Sequence, residues 1–169
     1  YKKSVQLCKD YKIGYSVTDT EFIQKEHSPK QLSRLAKMSS AKDYLINEPM
    51  VYSDVDVIFQ GNIEEIQDLN PNYIWVLSKR NGHQTSLRKW KQHYFRKRTV
   101  EFARENITKL DDTLSAEDVL ESPVRNCGVI YGNSFLVHKL LMQAKEYYLK
   151  LLAINKSKNT FSDSDQLCF

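Results

Sequence analysis

Short apolar runs alternate along this chain with longer stretches in which apolar residues recur at helical spacing. Alternation with a period of two predicts a strand, whereas apolar residues three and four positions apart predict a helix. On these criteria the sequence predicts strands over residues 11–18, 49–59 and 73–77, and helices over residues 2–10, 29–45, 62–66 and 133–154. This alternation of strands and helices favours an α/β fold with a ligand site along one edge of the sheet.

The helix over residues 29–45 has a clear start, because Ser28 is a good N-cap and Pro29 suits the first helical position. Its apolar face is predicted to consist of Leu32, Leu35 and Ala36, with Arg34 and Lys37 on the opposite, basic face. Such a basic pair is usually a solvated helix face, although it also suits a diphosphate.

The last predicted helix is capped at Asn133-Ser134 and is the longest apolar-periodic segment of the chain. Its core stripe is predicted to be Phe135, Val137, Leu140, Leu141, Ala144 and Tyr148. His138 lies within this helix, where a packing role is the default. The preceding segment, residues 104–121, is polar and predicts a loop or short helices, with a turn of helix opening at Ser115.

The composition is that of one globular domain. The chain has 169 residues, of which 41% are apolar and 27% charged, and its net charge is +4, too small to indicate a nucleic-acid-binding protein by itself. Cys8, Cys127 and Cys168 are far apart and predict reduced thiols rather than a disulfide framework. No apolar run approaches the roughly 20 residues of a membrane-spanning helix. The opening at Tyr1 is typical of the middle of a helix, so we expect the domain to lack its amino-terminal strand.

Two aspartates interrupt the apolar run over residues 49–59. In an extended segment Asp54 and Asp56 share one face, while Val55 and Val57 point to the other. Two neighbouring carboxylates in a buried strand need a counter-charge, and Mg²⁺ or Mn²⁺ prefers such oxygen ligands. The sequence therefore predicts either a divalent-cation site or an exposed acidic pair on an edge strand or turn.

A second informative segment begins at Asn126, followed by Cys127, Gly128 and the apolar residues 129–131. Gly128 permits close approach of another group to the backbone. The amide of Asn126 can bind sugar hydroxyls through both its donor and its acceptor. A structural turn explains the same residues equally well.

Basic and aromatic residues are concentrated between residues 79 and 98. Such a segment suits a nucleic-acid strand, an anionic sugar acceptor or an anionic membrane surface. The alternative interpretation is a helical insertion with a solvated basic face.

Four segments resemble nucleotide-sugar glycosyltransferases and occur in that family's order: residues 28–35, 51–66, 126–130 and 165–167. They are most similar to the glycogenin and lipopolysaccharide-galactosyltransferase group, family 8. The resemblance implies a GT-A (Rossmann-like) α/β fold with a mixed, mainly parallel sheet flanked by helices. It also implies one domain over residues 1–169, in which residues 79–121 are a variable insertion over the acceptor side.

The resemblance assigns donor-binding roles to six residues. Asp54 and Asp56 look like the metal-binding Asp-x-Asp that holds Mn²⁺ or Mg²⁺ against the donor diphosphate, with Val55 between them. Arg34 matches a helix arginine that faces the donor. Asn126 and Gly128 match an Asn-x-Gly segment near the donor sugar.

Two further positions match the family's reaction centre. Asp165 and Gln166 look like the catalytic Asp-Gln pair beside the anomeric carbon. The implied activity is transfer of a sugar from a UDP-sugar to a saccharide or glycolipid acceptor, with retention of configuration. The transition state would resemble an oxocarbenium ion, and the metal together with Arg34 would stabilise the leaving diphosphate.

Two alternatives belong to other classes of protein. One is a nucleic-acid- or polyanion-binding module based on residues 79–98, and the other is a transferase-like domain without activity. Under the transferase interpretation we expect a cytoplasmic protein or one peripheral to a membrane, with residues 79–98 facing anionic lipid and no nucleic-acid partner.

Overall fold

A computed structural model describes residues 6, 9–10, 12, 27–40, 46–54, 57, 64–77, 95–122 and 126–158. Its elements are α1 (Pro29–Ser39), β1 (Pro49–Ser53), α2 (Glu64–Gln67), β2 (Trp75–Leu77), α3 (Phe95–Leu110), α4 (Ala116–Glu121), β3 (Asn126–Asn133) and α5 (Ser134–Lys158). The chain forms two compact units, residues 1–40 with α1 and residues 41–169 with the other elements. Apart from Lys12, which lies in a turn, the strand predicted over residues 11–18 lies outside the described residues, as does most of the helix over residues 2–10.

Helix α1 begins as the sequence predicts. The Ser28 hydroxyl accepts a hydrogen bond from the Gln31 amide at 3.3 Å, and the Gln31 side chain accepts one from the Ser28 amide at 2.8 Å. This capping box satisfies two amides that the helix leaves without intrahelical partners. The helix ends at Ser39, before the predicted residue 45, and buries Leu35 and Met38.

Among the described residues, the sheet of the second unit has three strands in the order β1-β3-β2, and both outer strands run antiparallel to β3. The predicted mainly parallel, Rossmann-like sheet is therefore wrong. An alternation of strands and helices indicates the order of elements but not which strands pair. Here β3, the last strand along the chain, lies between the two earlier ones and runs against both.

The central position of β3 explains its composition. Cys127, Val129, Ile130 and Tyr131 are all buried, as expected for a strand covered on both faces. On one face Ile130 lies between Tyr52 of β1 and Val76 of β2. These side chains pack with Val137 and Leu141 of α5 into one hydrophobic cluster.

Helix α5 follows β3 without a loop. Asn133 caps it by accepting a hydrogen bond from the Phe135 amide at 3.0 Å, as predicted. Val137, Leu141, Ala144 and Tyr148 of the predicted core stripe are buried and Leu140 is half-buried. Phe135 is 48% exposed, so its predicted place in the core is wrong.

The polar segment over residues 104–121 is more helical than predicted, because α3 continues to Leu110. Helix α4 begins after Ser115, whose hydroxyl accepts from the Asp118 amide at 3.0 Å, as predicted. Ile107 and Leu110 of α3 and Leu120 of α4 are buried, and α3 contacts both α4 and α5. Apolar residues at helical spacing thus outweigh the polar composition of the segment.

Candidate functional site

The two motifs singled out from the sequence meet at one end of the sheet. The amide of Asp54 donates a hydrogen bond to the carbonyl of Gly128 at 2.8 Å, continuing the ladder in which Ser53 pairs with Val129. The two residues are 74 positions apart in the sequence (128 minus 54). The start of the Asp-x-Asp segment therefore lies directly beside the Asn-x-Gly segment.

The chain turns at Asp54 instead of continuing as a strand. β1 ends at Ser53, and the Val57 amide donates to the Asp54 carbonyl at 3.2 Å. The Ser53 hydroxyl donates to that same carbonyl at 3.0 Å. β1 therefore ends before the predicted residue 59 and is followed by a half-buried Asp54, while residues 55–56 and 58–59 lie outside the described residues.

The Asn-x-Gly segment opens the central strand. Asn126 is the first residue of β3, and its backbone lies opposite Leu77, the last residue of β2. A register shift between Val76 and Leu77 interrupts the ladder here. Cys127 is a buried cysteine outside any disulfide, whereas Cys8 and Cys168 lie outside the described residues. The ends of β1 and β2 and the beginning of β3 therefore form one edge.

The remaining predicted site residues divide into two groups. Arg34 is half-buried on α1, in the first compact unit. Val55, Asp56, Asp165, Gln166 and most of the basic segment 79–98 lie outside the described residues. Within the described ranges no three His, Cys, Asp or Glu side chains cluster as metal ligands, and no helix is long and apolar enough to cross a membrane.

A separate polar cluster joins the end of α3 to α5. The Asp111 carboxylate accepts hydrogen bonds from the Thr113 hydroxyl and amide and from the Tyr147 hydroxyl. The Thr113 hydroxyl, followed by the Tyr147 hydroxyl, lowers the pKa of Asp111 to about 2. The Asp111 hydrogen bond in turn raises the pKa of Tyr147.

Lys150 completes this cluster. Its ammonium group donates to the Leu110 carbonyl at 3.0 Å and pairs with Glu146 at 2.8 Å. The hydrogen bond to Glu146 raises the pKa of Lys150. A cation at the last carbonyls of α3 is favourable because the carboxyl end of a helix carries partial negative charge. Perturbed pKa values also occur at active sites, but here the Tyr147–Asp111 and Lys150–Leu110 hydrogen bonds join α5 to the end of α3, as in a structural tie.

Comparisons with known proteins identify no relative of this chain. No protein-family model, curated protein or solved structure matches it. The candidate site therefore rests on its residues and their geometry.

Sequence reasoning missed Ser53. Its hydroxyl holds the carbonyl at which the chain turns, yet a serine at the end of an apolar run is too common to be distinguished by pattern alone. The juxtaposition of Asp54 and Gly128 was also not derivable from local patterns, since it depends on which strands pair.

Proposed function

We propose that the protein is a glycosyltransferase that moves a sugar from a nucleotide-sugar, with UDP as the carrier, to a hydroxyl of a saccharide or glycolipid. The observation that carries the proposal is the 2.8 Å hydrogen bond between the Asp54 amide and the Gly128 carbonyl. It places the Asp-x-Asp segment, whose carboxylates suit a divalent cation, beside the Asn-x-Gly segment, whose amide suits sugar hydroxyls.

The chemistry of the segments suits the two halves of such a donor. Asp54 and Asp56 supply carboxylate oxygens, which Mg²⁺ and Mn²⁺ prefer. A divalent cation held there would offset the negative charge that develops on the departing diphosphate. Of the two carboxylates the structure describes Asp54, at the start of a turn that is anchored to the sheet.

Asn126 has the complementary role in the proposal. Its side-chain amide offers both donors and an acceptor to sugar hydroxyls, and its backbone lies at the same sheet edge as Asp54. A donor that spans this edge would present its sugar near β3 and its diphosphate near the turn after β1. Site residues on strand ends are held more precisely than residues on long loops.

Two further roles rest on the sequence resemblance alone. The resemblance assigns Arg34 to the donor, and a positive charge in that role stabilises the leaving group where charge develops. Asp165 and Gln166 would position or stabilise the anomeric centre during attack by the acceptor hydroxyl.

Nucleotide release from a panel of UDP-sugars, with Mn²⁺ and with mono- and oligosaccharide acceptors, tests this function. Asp54→Asn keeps the size of the side chain and removes its charge, so we expect the rate of UDP release to fall by about a hundredfold or more. Gln166→Ala and Arg34→Ala should each lower the rate with the fold intact.

The matched control is Asp68→Asn, because Asp68 is an exposed aspartate that follows α2 and lies outside both segments. It should release UDP at the wild-type rate. Equal rates for Asp54→Asn and the wild type would overturn the assignment of the site. Tight salt-sensitive binding of polyanions without nucleotide release would favour the polyanion-binding alternative.

A further inference from the structure

Helix α5 has apolar residues on two opposite sides. Its inner side, with Val137, Leu141 and Tyr148, is buried in the core. Its outer side carries Phe135, Met142 and Leu149, which are 48%, 40% and 41% exposed. A surface helix normally has polar residues opposite its core face. Three large apolar side chains on that face therefore indicate an interface with another surface.

The spacing of the outer residues is regular. Phe135, Met142 and Leu149 are seven residues apart, and a seven-residue repeat drifts by only about 20° per repeat around an α-helix. The three side chains therefore form a nearly straight stripe about 21 Å long. Such a stripe is typical of a helix that packs along another helix at a small crossing angle.

Charged residues fill the same stripe between the apolar ones. Lys139 lies between Phe135 and Met142, and Glu146 lies between Met142 and Leu149. Both are exposed, and with the apolar residues they recur at alternating intervals of four and three. The stripe therefore has opposite charges placed symmetrically on either side of Met142.

This charge order is self-complementary in one orientation only. If two copies of α5 pack antiparallel around Met142, Lys139 of each copy lies opposite Glu146 of the other. Phe135 then lies beside Leu149 of the second copy, within one residue of register. A parallel pair would instead place Lys139 against Lys139 and Glu146 against Glu146, which is unfavourable.

We propose that the outer face of α5 is a homodimer interface in which two copies of this chain pack antiparallel through Phe135, Met142 and Leu149, with Lys139 paired to Glu146 of the second copy. Such an interface is isologous, since the same surface is used by both partners about a two-fold axis. It is independent of the proposed activity, because it uses none of the candidate site residues.

One existing contact competes with the interface. Glu146 forms an ion pair with Lys150 of its own helix at 2.8 Å, with the two side chains 64% and 42% exposed. Exposed pairs four residues apart on a helix are weak, so Glu146 is able to turn to a lysine of the second copy. Lys150 keeps its hydrogen bond to the Leu110 carbonyl.

Charge-reversal variants distinguish this antiparallel dimer from a dimer that uses another surface or orientation. We expect the wild-type chain to sediment at twice its monomer mass at high concentration and to dissociate on dilution over about a hundredfold range. Lys139→Glu and Glu146→Lys should each raise the dissociation constant by about tenfold or more, because each places like charges opposite each other. The Lys139→Glu, Glu146→Lys double variant should dimerise again.

Mixing the two single variants provides a second, sharper readout. A Lys139→Glu chain and a Glu146→Lys chain are complementary in the antiparallel arrangement. An equimolar mixture should therefore form heterodimers at concentrations where each variant alone stays monomeric. Lys30→Glu makes the same charge change at an exposed position of α1 and should leave the dimer unchanged. Circular dichroism of each variant checks that helix content is retained.

Several results would each overturn the proposal. These are a wild-type chain that stays monomeric at the highest concentration, single charge reversals that leave the dimer intact, and a mixture of single variants that fails to associate. A dimer that survives Met142→Glu would likewise place the interface elsewhere on the molecule.

Discussion

Gly132 lies where β3 passes close to the loop before β2. A Cβ atom at this position would meet the Tyr73 carbonyl at 2.9 Å and the Ile74 Cδ1 atom at 3.2 Å. The carbonyl belongs to the backbone and cannot rotate away as a side chain can. We therefore expect Gly132→Ala to lower the free energy of unfolding by about 1–3 kcal/mol, measured by urea denaturation.

A double-mutant cycle identifies the source of that loss. Ile74→Val shortens the side chain near Gly132 but leaves the Tyr73 carbonyl in place, so the double variant should recover only a small part of the loss. Full recovery would show that the side-chain contact, and not the backbone, excludes a methyl group at this position.

Asp111 gives the fold a pH dependence at acid pH. Its pKa is lowered from 3.8 to about 2 by hydrogen bonds from Thr113 and Tyr147, which means that the folded state favours the ionised carboxylate. The stabilisation is therefore complete above pH 3.8 and is lost as the pH falls from 3.8 towards 2. Asp111→Asn should remove that part of the pH dependence of the free energy of unfolding.

The neighbouring aspartate is a matched control. Asp112 is exposed, and Asp112→Asn makes the same substitution while leaving the hydrogen bonds to Asp111 in place, so it should keep the pH dependence that Asp111 contributes. Tyr147→Phe removes one of the bonds that lower the pKa of Asp111, so that pKa should rise in a carboxyl NMR titration. An unchanged pKa in Tyr147→Phe would show that the Tyr147 bond has no such effect.

At the scale of elements, α5 offers a comparison of its two sides within one helix. Leu141 is fully buried and Leu149 is 41% exposed. Leu141→Ala should cost about 2–5 kcal/mol because it removes packed methyl groups and leaves a cavity. Leu149→Ala should cost no more than about 0.5 kcal/mol, when unfolding is followed at a protein concentration low enough to keep the chain monomeric.

Local signals predicted helix starts well. Ser28, Ser115 and Asn133 all cap helices as expected, because capping depends on residues within one turn.

The prediction that Phe135 lies in the core was wrong because helical spacing is also a local signal. A spacing of three or four residues identifies apolar faces but does not distinguish the side that meets the sheet from the opposite side.

At the scale of the whole molecule, the sequence predicts two strands of the second unit but neither the central strand β3 nor the arrangement of the sheet. Residues 49–53 and 75–77 are strands as predicted, yet the order β1-β3-β2 and its antiparallel pairing come from long-range contacts. The candidate site shares this limit, since Asp54 and Gly128 become neighbours only through that pairing. The chemistry of Asp54 and Gly128 could be inferred from their residue types, whereas their position beside each other in the fold could not.

The most direct test of the nucleotide-sugar site is calorimetric titration of UDP against the protein, with and without Mn²⁺. The same titration is made for an Asp54→Ala, Asp56→Ala double variant and for Asp68→Ala as the control. We predict that UDP binds only when Mn²⁺ is present, that the double variant loses this binding, and that Asp68→Ala keeps it. A folded protein that binds no UDP, or binds it equally well after both aspartates are removed, would contradict the account.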